Sequence, residues 1–172
     1  MWTYEQPVTI TFGAGTVKEI VPLARKQGWK RGIIVSTPHF VKNGFVDRLL
    51  QQGAGLITDV FSNITPNPEV NDVDDCAAVM RNWKNDFVIA IGGGSAMDTA
   101  KAVRALVANP GKQIHDFEGI GKVVHTGPFM ACISTTSGTA AEVTSNAVIT
   151  DTRRKVKMVI IDPALIPTVA VN

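Results

Sequence analysis

The sequence predicts an α/β fold built on a doubly wound, mainly parallel β-sheet. Short apolar runs recur along the chain, and the runs at residues 87–91 and 129–133 are continuous rather than alternating, as expected of strands covered on both faces. Each of these runs stops at a Gly/Ser/Thr-rich stretch before a helical pattern, and strands that alternate with helices form parallel sheets. The length of 172 residues suits one domain, which we expect to span residues 1–172.

Each predicted strand is a short run of β-branched and apolar residues that ends at turn-forming residues. The strands cover residues 8–12, 31–35, 56–61, 87–91, 129–133, 147–150, 156–161 and 168–171. The first of them alternates between apolar and polar residues and meets Gly13, which predicts a half-buried N-terminal β element.

The predicted helices begin at capping or turn residues and carry apolar side chains at helical spacing. They cover residues 16–27, 38–53, 69–83 and 95–108, and a fifth begins at residue 139. Three of these starts have the spacing of a capping box: Thr16 with Glu19, Ser95 with Asp98, and Thr139 with Glu142. Pro38 stands in the first turn of the second helix, where proline is favoured.

Composition excludes several classes of function. Seventeen Lys and Arg against fifteen Asp and Glu leave a net charge of +2, and no stripe of positive residues indicates nucleic acid or an anionic membrane as a partner. No apolar run reaches the roughly 18 residues of a membrane span, and the N-terminus lacks the apolar core of a signal peptide. Cys76 and Cys132 lie in a helical and a strand pattern, so we expect reduced thiols in a cytoplasmic protein, with a disulfide as the open alternative.

The stretch around three consecutive glycines carries the clearest functional signal. The run at residues 87–91 stops at Gly92, Gly93 and Gly94, and Ser95 starts a helical pattern. Glycines let the backbone approach a ligand, and a helix start presents free N–H groups and a positive dipole end to an anion. The spacing therefore favours a phosphate-binding loop. A glycine-rich turn before a helix also needs no ligand, and the spacing matches neither the GxGxxG nor the Walker pattern.

Four polar loops are predicted to meet at one edge of the sheet. They follow strands at residues 36–37, 63–68, 92–95 and 135–139, and the carboxyl ends of parallel strands lie at the same edge. Their hydroxyls, amides and glycines would line a nucleotide crevice. Thr135, Thr136 and Asn67 are also consistent with ordinary turn chemistry, because such side chains often bond to nearby backbone.

Several further motifs accompany the glycine stretch. They are Phe-Gly-Ala-Gly at 12–15, Thr-Pro-Asn-Pro at 65–68, Gly-Gly-Gly-Ser-x-x-Asp-x-Ala-Lys at 92–101, Thr-Thr-Ser-Gly-Thr-Ala-Ala-Glu at 135–142, and Asn-Ala-Val-Ile-Thr-Asp at 146–151, with Lys157 and Asp162-Pro163. This set resembles the iron-containing (group III) alcohol dehydrogenases over nearly the whole chain, and most resembles the branch of lactaldehyde reductases and bacterial ethanol dehydrogenases. The resemblance implies a Rossmann-like dinucleotide-binding domain.

The resemblance also implies which residues hold the cofactor, NAD or NADP. Gly93, Gly94 and Ser95 are implied to hold the pyrophosphate, and Asn67 is implied to lie near the adenosine. The ribose and nicotinamide side is implied to be lined by Thr135, Thr136, Thr139, Asn146 and Lys157.

Thr37 bears on the choice between NAD and NADP. Dinucleotide-binding folds commonly place an acid near the end of an early strand, where it bonds to the ribose 2′-OH and repels a 2′-phosphate. The branch named above has an Asp where this chain, aligned through residues 33–37, has Thr37. The neutral hydroxyl predicts that NADP(H) is accepted at least as well as NAD(H).

The resemblance further implies a divalent metal, Fe²⁺ or another ion, held by an Asp and three His of an all-helical second domain, where it polarises the alcohol oxygen. We expect that domain to be absent from these 172 residues and therefore name no catalytic residue and no metal ligand. His39, His115 and His125 are scattered, and we expect them in solvent-facing loops or at helix starts. Asp98 is expected to cap a helix, and Cys132 to lie in the core.

We therefore expect the dinucleotide-binding half of an iron-type alcohol dehydrogenase, whose full-length relatives transfer a hydride between NAD(P)H and a small alcohol or aldehyde. The alternatives are a stand-alone nucleotide-binding or interaction module without catalysis, and a binding protein for phosphorylated sugars. Without the second domain, the chain is expected to bind dinucleotide weakly and to be inactive. We also expect it to expose Ile166, Val169 and Val171 in a patch that favours homo-oligomers.

Overall fold

The computed structural model describes residues 7–172, so the expectation about a signal peptide at the N-terminus falls mainly outside the described residues. The strands are β1 (Thr9–Thr11), β2 (Gly32–Ser36), β3 (Ile57–Phe61), β4 (Phe87–Gly92), β5 (Gly119–Ile120), β6 (Phe129–Ser134), β7 (Asn146–Asp151), β8 (Val156–Ile161) and β9 (Val169–Val171). The helices are α1 (Ile20–Lys26), α2 (Pro38–Lys42), α3 (Phe45–Gln52), α4 (Val70–Trp83) and α5 (Gly94–Ala108). Short 3-10 turns cover Thr16–Glu19, Ile114–Phe117 and Pro163–Leu165.

The main sheet has the order β1-β9-β6-β4-β2-β3, and all of its strand pairs are parallel. Successive residues of β4 pack into different layers. Val88 and Ala90 pack with α4 and α5, whereas Ile89 and Ile91 pack with α1 and α3. All four are fully buried, which explains why the apolar run is continuous rather than alternating. The predicted α/β fold with a mainly parallel sheet is confirmed.

A second, three-stranded sheet has the order β5-β8-β7. Strands β7 and β8 form an antiparallel hairpin, and β5 pairs with β8 in parallel. Alternate residues of the hairpin, such as Ile149 and Met158, are buried against the layer of α4 and α5. The sequence predicted the strands of this hairpin but not their pairing in a separate sheet.

Two of the predicted helix boundaries are wrong. The side chain of Thr16 caps no helix, because its Oγ1 donates to the carbonyl of Gly13 at 2.8 Å and a 3-10 turn precedes α1. The second predicted helix is divided into α2 and α3 at Gly44, whose φ of +76° lies in the left-handed region that a helix cannot include.

The expectation that the final segment faces solvent is also wrong. Val169 and Val171 are 6% and 2% exposed, because β9 is inserted between β1 and β6. Ile166 is half-buried. Trp83 ends the apolar stripe of α4 but is 55% exposed, since the helix stops there and Lys84 turns the chain with a φ of +53°.

Within residues 7–172, no helix has both the length and the apolar character needed to span a membrane. Cys76 and Cys132 are free and fully buried. Burial raises the pKa of the Cys132 thiol to about 12, so this side chain is an uncharged part of the core, as predicted.

Candidate functional site

The carboxyl ends of β2, β4 and β6 lie side by side at one edge of the main sheet. Ser36 pairs with Ile91, and Gly92 pairs with Ser134, so the chain leaves these strands at the same level. The loop that follows β3 reaches the same edge. Thr37, Thr65, Gly93 and Thr136, one residue from each loop, line a common cavity. The prediction that four polar loops meet at one edge of the sheet is confirmed.

This cavity has a volume of 550 Å³, within the range of about 300–1,000 Å³ that is typical of small-molecule sites. We call it the β2-side cavity. Its lining residues are Thr37, Pro38, His39, Ile64, Thr65, Pro66, Gly93, Gly94, Ser95 and Thr136. The lining contains hydroxyls, backbone amides and one imidazole, but no carboxylate.

A second cavity, of 240 Å³, opens between α5 and the β7–β8 hairpin. We call it the hairpin-side cavity. It is lined by Asn67, Pro68, Gly94, Ser95, Asp98, Thr139, Val148, Thr150 and Lys157. The two cavities share Gly94 and Ser95, so together they form a cleft with the start of α5 between its two halves.

The start of α5 is open to an anion. Gly93 is its N-cap residue, and the first N–H groups of any helix have no partner within the helix. No side chain in the described part of the chain caps them. The predicted capping box is wrong, because Asp98 Oδ2 accepts a hydrogen bond from the backbone N–H of Val148 at 3.1 Å. The positive end of a helix dipole lies at the N-terminus. In this 15-residue helix it is therefore directed at the cleft.

Gly93 and Gly94 lie directly under the loop that follows β6. A Cβ atom added to Gly93 would be 2.8 Å from Thr136 Oγ1, and one added to Gly94 would be 3.0 Å from Thr139 Oγ1. Both distances are shorter than a normal van der Waals contact, so a side chain at either position would require the threonine side chain above it to move. The third glycine, Gly92, has a φ of +147°, a conformation that other residues rarely adopt.

The helix predicted to begin at Thr139 does not form. Residues 135–145 form bends and turns, and Ala140 has a φ of +53°, which interrupts any helix at that point. Thr139 and Glu142 therefore form no capping box. Instead, the irregular loop brings the hydroxyls of Thr136 and Thr139 over the glycines.

Asn67 and Lys157 meet at the hairpin-side cavity. Lys157 Nζ donates to Asn67 Oδ1 at 2.8 Å, and the φ of Asn67 is +61°. Thr150 secures the same loop, because its Oγ1 donates to the Asn67 carbonyl at 3.3 Å and its N–H donates to the Pro68 carbonyl at 2.7 Å. Lys157 can only donate, so the amide of Asn67 must present its oxygen to Lys157 and its NH₂ group elsewhere.

Sequence reasoning did not identify Thr150 as a site residue. In the sequence it belongs to an ordinary β-rich run, and only its strand position opposite Lys157 brings it to the cavity. The Asn-Ala-Val-Ile-Thr-Asp motif at 146–151 includes this threonine. That motif is the sequence signal from which Thr150 could have been identified as a site residue.

A half-buried acid, Asp98, and a fully buried base, Lys101, lie on α5 beyond its first turn. Burial raises the pKa of Asp98 to about 6, against the opposing effects of the Val148 N–H group and of Lys101. Burial also lowers the pKa of Lys101 to about 8, with the charge of Asp98 acting in the opposite direction. Lys101 Nζ donates to the carbonyl and the hydroxyl of Thr144, at 2.8 and 3.0 Å, and to the carbonyl of Asn146 at 3.0 Å. Lys101 thus connects α5 to the hairpin rather than to a ligand.

Two of the predicted site residues lie next to the cleft without lining either cavity. Thr135 is exposed, and its backbone N–H donates to the carbonyl of Gly92 at 3.1 Å. Asn146 is the first residue of β7 and contributes its carbonyl to Lys101. The other eight, Thr37, Asn67, Gly93, Gly94, Ser95, Thr136, Thr139 and Lys157, are brought together around the start of α5.

The three histidines have different surroundings in the structure. His39 lines the β2-side cavity, whereas His115 Nε2 donates to Asp151 Oδ2 at 2.9 Å. The backbone N–H of His125 donates to Asn109 Oδ1 at 3.0 Å. Within residues 7–172, no three His, Cys, Asp or Glu side chains converge in a way that could hold a metal ion.

Comparisons with known proteins agree with this geometry. The family model described as "Iron-containing alcohol dehydrogenase" matches residues 7–172. The chain is 36% identical to NAD-dependent methanol dehydrogenase of Bacillus methanolicus over 167 residues, which cover 96% of this chain and 44% of that protein. It is also 36% identical to lactaldehyde reductase of Escherichia coli K12 over 165 residues, which cover 94% of this chain and 43% of that protein.

A solved structure shows the same fold. The chain superposes on sulfoacetaldehyde reductase from Bifidobacterium kashiwanohense, crystallised in complex with NAD⁺, with a TM-score of 0.93 and 38% identity. The match covers 99% of this chain and 46% of that one, so the chain spans less than half the length of these relatives. The motifs, the fold and the family match together show that the chain belongs to the iron-containing alcohol dehydrogenase family.

Proposed function

We propose that these residues form the dinucleotide-binding domain of an oxidoreductase that transfers a hydride between NAD(P)H and a small alcohol or aldehyde. The observation that carries this proposal is the uncapped start of α5, framed by Gly93 and Gly94 between two cavities. A pyrophosphate needs such a concentration of free N–H groups, and the cavities on either side offer room for two nucleoside halves. The names of the relatives, a methanol dehydrogenase and two aldehyde reductases, support the class of reaction.

The residues of the cleft fit a dinucleotide. In this proposal, the backbone of Gly93, Gly94 and Ser95 holds the pyrophosphate, and Thr37 and Thr136 face the adenosine half in the β2-side cavity. For Thr136 this differs from the resemblance, which implied the nicotinamide side, and the support is that Thr136 lines the same cavity as Thr37. Bound NAD(P) supplies the hydride, and the protein supplies its binding and orientation.

We assign the nicotinamide half to the hairpin-side cavity, with Asn67, Thr139 and Lys157 beside it. The resemblance alone implied that Asn67 and Lys157 lie at different ends of the cofactor. Their 2.8 Å hydrogen bond favours one shared subsite instead. The NH₂ group of Asn67, left free by that bond, is then a donor for a ribose hydroxyl or for the nicotinamide carboxamide.

We further propose that NADP(H) is accepted at least as well as NAD(H). The support is the neutral lining of the β2-side cavity, in which Thr37 follows β2 and no carboxylate is present. A carboxylate at this point would bond to the ribose 2′-OH and repel a 2′-phosphate.

The described residues do not fit the family's metal, because no ligand set converges among them. We therefore derive no step through a metal ion. We propose that a polypeptide of these 172 residues binds dinucleotide weakly and does not turn over alcohols. The cytoplasm is the proposed location, supported by the two buried free thiols.

The direct test is calorimetric titration of the purified 172-residue chain with NAD⁺ and with NADP⁺. In a Gly94→Val variant we expect binding to be lost, because the added side chain would displace Thr139 and obstruct the helix start. Gly138→Ala is the matched control, since a Cβ at that position meets no atom within 4 Å. Circular dichroism should show that both variants stay folded. Equal dinucleotide affinity in Gly94→Val and in the parent would rule out the phosphate-loop assignment.

A further inference from the structure

His39 occupies a position in the β2-side cavity that neither the motifs nor the comparisons assign. It is the second residue of α2, two residues beyond Thr37, and its side chain is exposed where it lines the cavity. Its Nε2 atom is 3.4 Å from Asn43 Nδ2, a long contact that leaves the imidazole available to another partner. Within residues 7–172, no carboxylate lies within 4 Å of its ring nitrogens.

The chemistry of the cavity favours an anionic ligand group near His39. Of the ten lining residues, His39 is the only one with an ionisable side chain. Pro38, its neighbour, has no backbone N–H, so the first amide donor within α2 is the N–H of His39 itself. A ligand anion at the end of β2 would therefore meet this N–H, the imidazole of His39 and the hydroxyl of Thr37.

Other cations on the same side of the molecule are less suitable. Lys42 lies at the end of α2 and does not line the cavity. Arg48 lies on α3, where its guanidinium is 5.6 Å from the centre of the Phe45 ring, and it lines a different cavity. The ring of His39 instead meets Phe40 edge-on, with 5.0 Å between ring centres, and this contact restricts its orientation.

We propose that His39 binds the 2′-phosphate of NADP(H) and is the residue that selects NADP(H) over NAD(H) in this chain. The proposal rests on the proposed function, because it requires the adenosine half of a dinucleotide in the β2-side cavity. The imidazole donates an N–H to a phosphate oxygen, and Thr37 Oγ1 provides a second donor. The 2′-hydroxyl of NAD carries no charge, so its binding gains little from His39.

The test compares ligands with and without the 2′-phosphate. Dissociation constants are measured for NADP⁺ and NAD⁺, and for the fragments adenosine 2′,5′-bisphosphate and adenosine 5′-monophosphate. The proteins are the parent chain, His39→Ala, His39→Arg and, as a matched control, Lys42→Ala, which removes a cation from the same helix outside the cavity.

We expect His39→Ala to weaken NADP⁺ and the bisphosphate about tenfold, the effect of losing one charge-assisted hydrogen bond. NAD⁺ and the monophosphate should bind as in the parent. His39→Arg should restore the preference for the 2′-phosphate, and Lys42→Ala should leave it unchanged.

Three results would overturn the proposal in distinguishable ways. An unchanged ratio of NADP⁺ to NAD⁺ affinity in His39→Ala would reject the role of His39 and leave dinucleotide binding intact. An equal loss for both cofactors would make His39 a structural residue. If the folded parent chain binds neither dinucleotide, the proposed function fails as well.

Discussion

Thr37 is the first residue after β2, and its side chain lines the β2-side cavity. We expect Thr37→Asp to reduce the affinity for NADP⁺ relative to NAD⁺ by about tenfold, because a carboxylate would repel the 2′-phosphate and bond to the 2′-hydroxyl. Competition binding with the two cofactors measures this ratio. A strong preference for NAD⁺ in the parent that Thr37→Asp leaves unaltered would contradict the prediction. Thr65→Ser, which alters another residue that lines the cavity without adding a charge, is the control.

The ionisation of Asp98 makes the free energy of unfolding depend on pH. Its pKa of about 6 in the folded protein lies above the value of about 4 that is usual in unfolded chains. Between these values the folded state binds more protons than the unfolded state, so this group makes stability fall as the pH rises from about 4 to about 6. A shift of two units corresponds to about 3 kcal/mol.

We expect Asp98→Asn to abolish this contribution. The amide oxygen of Asn can still accept the hydrogen bond from Val148 N–H, but the side chain no longer titrates. Urea unfolding at several pH values gives the free energy of unfolding for both proteins. The difference between parent and variant should change by about 2 kcal/mol between pH 4 and pH 6, which is the larger part of the full effect. A difference that stays constant across this range would show that Asp98 has no raised pKa.

At the scale of elements, α5 connects the cleft to the rest of the fold. Its first turn faces the cleft, Asp98 and Lys101 bond to the hairpin region, and Arg104 bonds to two loops behind the sheet. The Arg104 guanidinium donates to the carbonyls of Pro128 and Gly127, and to that of Ile166 at 3.0 Å. One helix therefore holds the hairpin and both loops in position relative to the glycines.

We expect Arg104→Met to lower the free energy of unfolding by about 3 kcal/mol. The residue is 3% exposed, and its loss leaves the carbonyls of three half-buried residues without this donor. Arg81→Met on α4 is the control, because Arg81 is exposed and, among residues 7–172, its side chain makes one hydrogen bond, to the Leu106 carbonyl at 2.8 Å. That variant should lose less than about 1 kcal/mol. Chemical denaturation measures both, and equal losses would refute this role of Arg104.

At the scale of the whole molecule, the cleft has one wall from the main sheet and one from the β7–β8 hairpin. We expect a purified polypeptide of these 172 residues to show no useful alcohol oxidation. It would lack a Lewis acid worth several kcal/mol of transition-state stabilisation, and each 1.4 kcal/mol is a factor of about ten in rate. The assay supplies Fe²⁺ or Zn²⁺, NAD(P)⁺ and a panel of short alcohols. Metal-dependent turnover like that of an ordinary dehydrogenase would show that these residues contain a complete site.

Self-association of the chain stays a prediction. Val169 and Val171 are buried and cannot form the expected patch. Exposed large apolar side chains instead lie at and near the smaller sheet: Ile120 and Val124 are 76% and 71% exposed, and Val156, Val159 and Ile161 of β8 are 42%, 40% and 37% exposed. Light scattering across a range of chain concentrations measures the association.

Local patterns were sufficient for the fold class and for the centre of the site. The continuous run before Gly92 required a strand covered on both faces, and three glycines before a helical pattern required a close approach of backbone at that edge. These properties depend on burial and on backbone conformation, and both can be predicted from residue types that are adjacent in the sequence. Helix starts were predicted less well, because Ser95 and Asp98 have capping-box spacing, yet Asp98 bonds to Val148 instead.

The sequence by itself thus determined the α/β class, the mainly parallel direction of the strands, and the glycines that frame the start of a helix. Only the tertiary structure decided which side chains share a subsite. Lys157 and Asn67 are 90 residues apart in the chain and 2.8 Å apart in space, and His39 reaches the cavity of Gly93 because β2 lies beside β4. The physical reason is that hydrogen-bond partners are selected by which loops the sheet brings to one edge, and that choice is made by long-range strand pairing.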